Sequence, residues 1–105
     1  MRRRRNKFGA VKANGYASKL ESKVADKLRA ELAEGETLIE QVPIKFACGA
    51  KYVCDFAIVR NDTGEIVRWV EAKGREMPVW RLKLRLLKHE HPRIYANLTV
   101  LRSAK

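Results

Sequence analysis

Acidic residues are scarce in this 105-residue chain, where 12 Asp and Glu face 23 Lys and Arg for a formal net charge of +11. Such an imbalance argues against a basic partner and for a polyanionic one, nucleic acid before a membrane surface, because no amphipathic anchor accompanies the basic runs. Cysteine occurs only at Cys48 and Cys54, which is too few for a disulfide framework, so both thiols are expected to be free. Together with His89 and His91 they form C-x5-C and H-x-H spacings, which match no common structural zinc framework. No apolar run approaches the roughly 20 residues of a membrane span. The arginine-led start lacks the apolar segment of a signal peptide, so the expectation is a cytoplasmic protein without membrane contact. Neither a P-loop nor a dinucleotide fingerprint occurs, and neither histidine has a recognisable nucleophile partner. What remains is one small domain, 46% hydrophobic and 33% charged, long enough for a single core.

The rest of the chain is organised around residues 52–73, where YVCDFAIV and EIVRWVEAK flank the turn signal Asn61-Asp62-Thr63-Gly64. Two β-rich runs around such a turn predict a hairpin. Its first strand is apolar on both faces, as in a sheet covered on each side. Asp55, Glu71 and Lys73 interrupt this pair, and a charge buried there is costly unless paired or ligated. Side chains alternate along a strand, so Glu71 and Lys73 share a face while Ala72 points away. Asp55 joins them only if the register has the right parity. With simple pairing, that requires an odd loop of three or five residues near Asp62 to Gly64. A two-residue loop at Asp62-Thr63 would instead set Val70 opposite Asp55. Two carboxylates and an ammonium at one point outline a magnesium-dependent phosphodiester-cleaving site, the acids holding a hard cation and the lysine orienting water or offsetting phosphate charge.

Upstream, residues 1–15 (MRRRRNKFGAVKANG) carry Arg2, Arg3, Arg4, Arg5, Lys7 and Lys12 and no acid, which reads as a basic arm binding phosphates. A helix is expected from Ser18 to Gly35, with Leu20, Val24, Leu28 and Leu32 at helical spacing. Glu21 is either the capping-box partner of Ser18 or a residue turned toward the hairpin beside Val24, Ala25 and Leu28. Residues 37–46 read as a strand in which Pro43 demands an edge or a bulge. Glu40 and Gln41 within it are either solvated or part of the site. Beyond Gly74, Pro78 near a first turn and Pro92 as a stop favour a helix over the strand that residues 80–86 also resemble by alternation. That helix would bury Trp80, Leu84 and Leu87, with Leu82 and Leu86 on a flank, and project Arg81, Arg85 and Lys88 as a basic ridge close after Arg75. Residues 97–102 read as a last strand, parallel to the one before the helix.

Asp55, a gap of fifteen residues and Glu71-Ala72-Lys73 together resemble the signature of the PD-(D/E)XK nuclease superfamily, with Cys54 where the name-giving proline would be. Over residues 16–105 the order of elements is similar to phage endonuclease I type Holliday-junction resolvases. A helical acid (Glu21), an EQVP strand (Glu40 to Pro43) and a basic helix ending in HEHP (His89 to Pro92) carry this further likeness. The resemblance implies an α/β, restriction-endonuclease-like αβββαβ core with a mixed central sheet flanked by helices. It also implies a structure-selective DNA endonuclease, homodimeric and, if phage-encoded, working in the host cytoplasm. Asp55, Glu71 and the Ala72 carbonyl would hold Mg2+, with Mn2+ able to substitute, and Glu21 and Lys73 would complete the catalytic set. The competing expectation is a non-catalytic nucleic-acid-binding domain of the same fold.

Deleting residues 1–7, which hold five basic residues, should weaken DNA binding and flatten its salt dependence by about 0.9 for each phosphate that is no longer neutralised. Anisotropy titrations across a salt series check this, and an unchanged slope would mean that the arm touches no DNA.

Overall fold

The computed structural model describes residues 19–74 and 77–103. The arm residues Arg2, Arg3, Arg4, Arg5 and Lys7, the cap residue Ser18, and Arg75 lie outside them. The described elements run α1 (Lys19–Glu31), β1 (Glu36–Lys45), β2 (Lys51–Arg60), β3 (Ile66–Ala72), α2 (Pro78–Glu90), α3 (Pro92–Ala96) and β4 (Leu98–Leu101). The strands form one sheet in the order β1-β2-β3-β4. The first three are antiparallel, and β4 pairs parallel to β3, giving a small α/β fold with a four-stranded mixed sheet. Pro43 sits in the edge strand β1, where a missing donor is tolerated. The expected order gains one element, because Pro92 opens the short helix α3 instead of only ending α2. Proline suits a first helical position, where its missing N–H has no partner to lose. His91 N–H still closes α2 on the Leu87 carbonyl, and the His91 carbonyl accepts from Tyr95 N–H.

Each face of the sheet carries its own apolar cluster. Val24, Ala25 and Leu28 of α1 pack with Phe56, Ile58 and Val70 on one face. On the other, Trp80 and Leu87 of α2 pack with Ile44, Tyr52, Cys54, Ala57 and Trp69. Leu84 and Leu86 are partly buried against this second cluster. Leu82 departs from expectation, since it is 56% exposed. The helix buries a narrow stripe through Trp80 and Leu87, and Leu82, two residues beyond Trp80, falls about 200° around from it and faces out. Arg81, Arg85 and Lys88 are exposed as expected. Both cysteines are free: Cys48 is exposed near the β1–β2 turn, while Cys54 is buried with its thiol directed at the Phe56 and Val70 carbonyls.

The register of β2 and β3 decides where the charged residues meet. Arg60 N–H bonds the Glu65 carbonyl and Gly64 N–H bonds the Arg60 carbonyl, so four residues form the loop, with Gly64 at φ 74. An even loop alone would send Glu71 to the face away from Asp55. Parity is restored by a bulge, because Val59 pairs with Ile66 but Ile58 pairs with Arg68, leaving Val67 as the extra residue. Ile66 and Trp69, three apart, accordingly reach the same face. From there Ala57 pairs with Trp69 and Phe56 with Val70, and continuing this register sets Asp55 opposite Glu71. The expected odd loop is therefore corrected to a four-residue loop plus a bulge with the same net parity.

Leu87 has no exposed surface while Leu82 is mostly exposed. Leu87→Ala should cost about 2–5 kcal/mol, and Leu82→Ala should stay within about 0.5 kcal/mol of the wild type. Denaturant melts of the two variants check this, and equal losses would reverse the assigned face of α2.

Candidate active site

The β-ladder fails on both sides of Asp55. Toward β1, Glu40 pairs with Phe56 and Val42 with Cys54, but the pair between them is missing. Toward β3, pairing stops at Phe56 and Val70, after which β3 continues along β4 to the Ala72–Leu101 pair. Strict alternation also slips here: Cys54 and Ala57, three apart, belong to one cluster, and so do Ile39 and Val42 across from them. Since both strands slip together, pairing resumes in register beyond the gap. Gln41, at the slip in β1, has φ 54, a left-handed conformation costing a non-glycine residue about 1–2 kcal/mol.

Backbone donors released by this gap are taken by side chains. Asp55 N–H donates to Glu71 Oε1 at 3.4 Å, and Ala72 N–H donates to Asp55 Oδ2 at 3.0 Å. The two acids thus each cap the other strand's unladdered backbone. The Tyr52 hydroxyl donates to Glu71 Oε1 at 2.7 Å, and Lys73 Nζ lies 3.3 Å from Glu71 Oε2. The Lys73 ammonium also stands 5.1 Å from the centroid of the Trp80 ring, an arrangement that favours the cation. Glu21 enters from α1: the Gln41 amide Nε2 donates to Glu21 Oε2 at 3.2 Å and to Asp55 Oδ1 at 3.4 Å. Of the two expectations for Glu21, the geometry favours the one that turns it toward the hairpin.

Glu21, Asp55, Glu71 and Lys73 therefore converge where β3 parts from the middle of β2, between the layer of α1 and that of α2. Of the pair left open in β1, Gln41 joins them, whereas Glu40 is engaged by Arg29 at 2.8 Å. Tyr52 is the addition that sequence reasoning misses, because an aromatic at the start of an apolar strand reads as core. The usable signal is that a buried tyrosine hydroxyl needs a polar partner. The HEHP segment plays a different part. Glu90 accepts from Ala47 N–H at 2.8 Å, and His91 Nε2 lies 2.9 Å from the Lys45 carbonyl, pinning the end of α2 to the β1–β2 turn.

Burial sets the electrostatics. Glu71 is 3% exposed, and its carboxyl is pushed upward by burial and then by the Asp55 charge, against the opposing pull of Tyr52 and Lys73. Asp55 is raised by burial, with the Ala72 N–H, Lys73 and Gln41 acting the other way. Glu21 is pushed from 4.5 to about 7 by burial and by the charges of Asp55, Glu71 and Glu40. The three acids are all raised mainly by burial, and the charges of neighbouring acids add to this at Glu21 and Glu71. All the available donors are oxygens, namely the carboxylates of Asp55, Glu71 and Glu21 and the Ala72 carbonyl, and this set fits a hard divalent cation such as Mg2+ or Mn2+. Among the described residues, however, no group of three or more His, Cys, Asp or Glu is already arranged to hold a metal ion. No helix among them is long and apolar enough to cross a membrane. Comparison with protein-family models, curated proteins and solved structures finds no match.

An acid whose folded-state pKa is raised binds its proton more tightly in the folded chain, so stability falls as pH rises from the unfolded pKa to the folded one. For Glu21 that window runs from 4.5 to about 7, and Asp55 and Glu71 contribute in the same direction. Thermal melts in chelator should therefore drop across this window, and Glu21→Gln should make the drop shallower. A melting temperature that rises with pH there would contradict the crowding of these acids.

Proposed function

We propose that the protein is a metal-dependent endodeoxyribonuclease of restriction-endonuclease-like fold that hydrolyses phosphodiester bonds in branched or junction DNA. The observation that carries this reading is the bulge at Val67. It sets Glu71 opposite Asp55 in a sheet whose turn alone would separate them, and it brings Lys73 with Glu71. Asp55 and Glu71, with the Ala72 carbonyl and Glu21, are the oxygens that would hold Mg2+, for which Mn2+ would substitute. When bound, the ion would activate water and offset charge developing on the phosphate.

The chain's own groups supply the rest of the chemistry. Tyr52 and Lys73 hold the two oxygens of Glu71 from different sides, fixing the carboxylate that must face the ion. Lys73, a quarter exposed along its side chain, stands where an ammonium can orient a water or a phosphate oxygen. Gln41 keeps Glu21 beside Asp55. Arg81, Arg85 and Lys88 on the exposed side of α2 hold the DNA backbone through its phosphates, which gives affinity without reading sequence. Arg75 and the arginines of the arm extend this basic surface in the same reading, and a homodimer working in the cytoplasm completes it. One observation favours a second reading, nucleic-acid binding without cleavage: no three-ligand metal group stands ready among the described residues.

Glu71→Gln separates the two. It keeps an acceptor for Tyr52 while removing a buried charge that repels Asp55. Melting in chelator should therefore hold or rise, while magnesium-dependent cleavage of branched DNA falls by orders of magnitude. A variant that melts markedly earlier yet cleaves at the wild-type rate would remove Glu71 from the metal site. Absence of magnesium-dependent cleavage from the wild type would leave the binding-only reading.

A further inference from the structure

The far end of the β1–β2 hairpin is covered on one face only. Ile44, Phe46, Tyr52 and Cys54 turn to the α2 side and are buried there, so by strand alternation Pro43, Lys45, Lys51 and Val53 turn to the α1 side. All four are exposed, because on β2 the α1 cluster reaches no further than Phe56. They stand in two cross-strand rows, Lys45 opposite Lys51 and Pro43 opposite Val53. The next row holds Gln41 and Asp55, where the ladder is open and the Gln41 amide ties Asp55 to Glu21. A bare strip therefore runs from the turn to the candidate active site.

The lysine row is unfavourable as it stands. Like charges directly opposite on neighbouring strands repel, and residues 41–54 include no acid to offset them. Several other surface cations are paired, Lys27 with Glu31, Arg29 with Asp26 and Glu40, and Arg60 with Asp62. Among the described residues, neither Lys45 nor Lys51 has an ion pair. Glu90, which reaches this turn from α2, accepts from the Ala47 N–H instead. Two ammoniums side by side on a strip without carboxylates select a ligand of repeated negative charge, and the position of the strip selects one that also passes Asp55. A nucleic-acid backbone meets both conditions. We propose that the strip seats a duplex flank of the bound DNA, with Lys45 and Lys51 on phosphates to one side of the bond held at the candidate site and Pro43 and Val53 beneath the backbone between. Lys51 precedes Asp55 by four residues, about 13 Å of extended strand, which corresponds to about four base pairs at about 3.4 Å each. The inference rests on the nuclease reading for the position of the cleaved bond, and it adds a requirement for duplex on one side of that bond.

The test uses the full chain in chelator, with a fluorescent four-way junction of long duplex arms as the probe. Replacing both lysines, Lys45→Gln with Lys51→Gln, should flatten the salt dependence of binding by about 0.9 for each lysine lost. The melting temperature of this variant should hold or rise, because the repelling pair is gone. Lys45→Arg with Lys51→Arg should keep the wild-type slope, and Arg60→Gln, at the opposite end of β2, should leave it unchanged. A photocrosslinker coupled through maleimide to Cys48, in the turn between the two lysines, should attach to a duplex arm. An unchanged slope in the double glutamine variant, an equal flattening in Arg60→Gln, or a crosslink that captures no DNA would overturn the proposal. So would an acidic peptide whose binding is lost in the glutamine variant while the DNA slope stays. Cleavage in magnesium is mapped on the same junction, and the crosslink should fall about four or more base pairs from the cleaved bond. Flattening and crosslinking without cleavage remove the nuclease reading and keep the strip, whereas cleavage with neither does the opposite.

Discussion

The structure depends on an exchange of partners at the point where β2 and β3 part. Beyond Phe56 and Val70 the ladder stops, and the backbone N–H groups of Asp55 and Ala72 must still find acceptors, because an unpaired donor in a covered sheet is strongly disfavoured. They find them in the side chains of Glu71 and Asp55. The acids are therefore structural as well as candidate catalytic groups, and their aim is fixed by the same bonds that hold the parted strands together. That solution takes both carboxyls out of water, and burial raises the proton affinity of each, with the Asp55 charge adding to the effect at Glu71. An arrangement stable in this way is left with an electrostatic deficit that a cation can fill.

Much of this is legible in the sequence, and the exceptions have physical causes. Turn residues, apolar periodicity and Pro78 locate the four strands and α2 within a residue or two, because these signals are local. Helix α1, by contrast, stops short of Gly35, and α3 goes unforeseen because Pro92 reads as a stop. The loop length is not legible, because a bulge leaves no mark in the pattern of apolar residues: Val67 looks like any strand valine. Leu82 reads as part of a buried flank because four leucines between residues 82 and 87 offer a helix more apolar surface than one sheet face can cover. The convergence of Asp55, Glu71 and Lys73 can be posed from spacing as a question of parity. Its answer lies in the bulge, and the contribution of Gln41 lies in a backbone conformation that glutamine rarely adopts.

The two helical layers divide the work. Helix α1 supplies an apolar face through Val24, Ala25 and Leu28 and one acid, Glu21, at the edge of that face. Helix α2 anchors through Trp80 and Leu87 and gives its remaining circumference to arginine, lysine and an uncovered leucine. Trp80 joins the core to the site, since its ring lies beneath the Lys73 ammonium. Loss of packing around that ring would disturb the lysine before it disturbed the carboxylates.

The contrast between the two cysteines has a practical side. Cys54 has no accessible surface, and burial pushes its thiol up to about 12, so the thiolate that reacts with electrophiles is both shielded and scarce at neutral pH. Cys48 stands in the open beside the turn that Glu90 and His91 pin to the end of α2. A maleimide dye would thus attach at a single place in the native protein, reporting on that clasp without the need to engineer a cysteine. The appearance of a second reactive thiol would signal that the sheet has opened around Asp55.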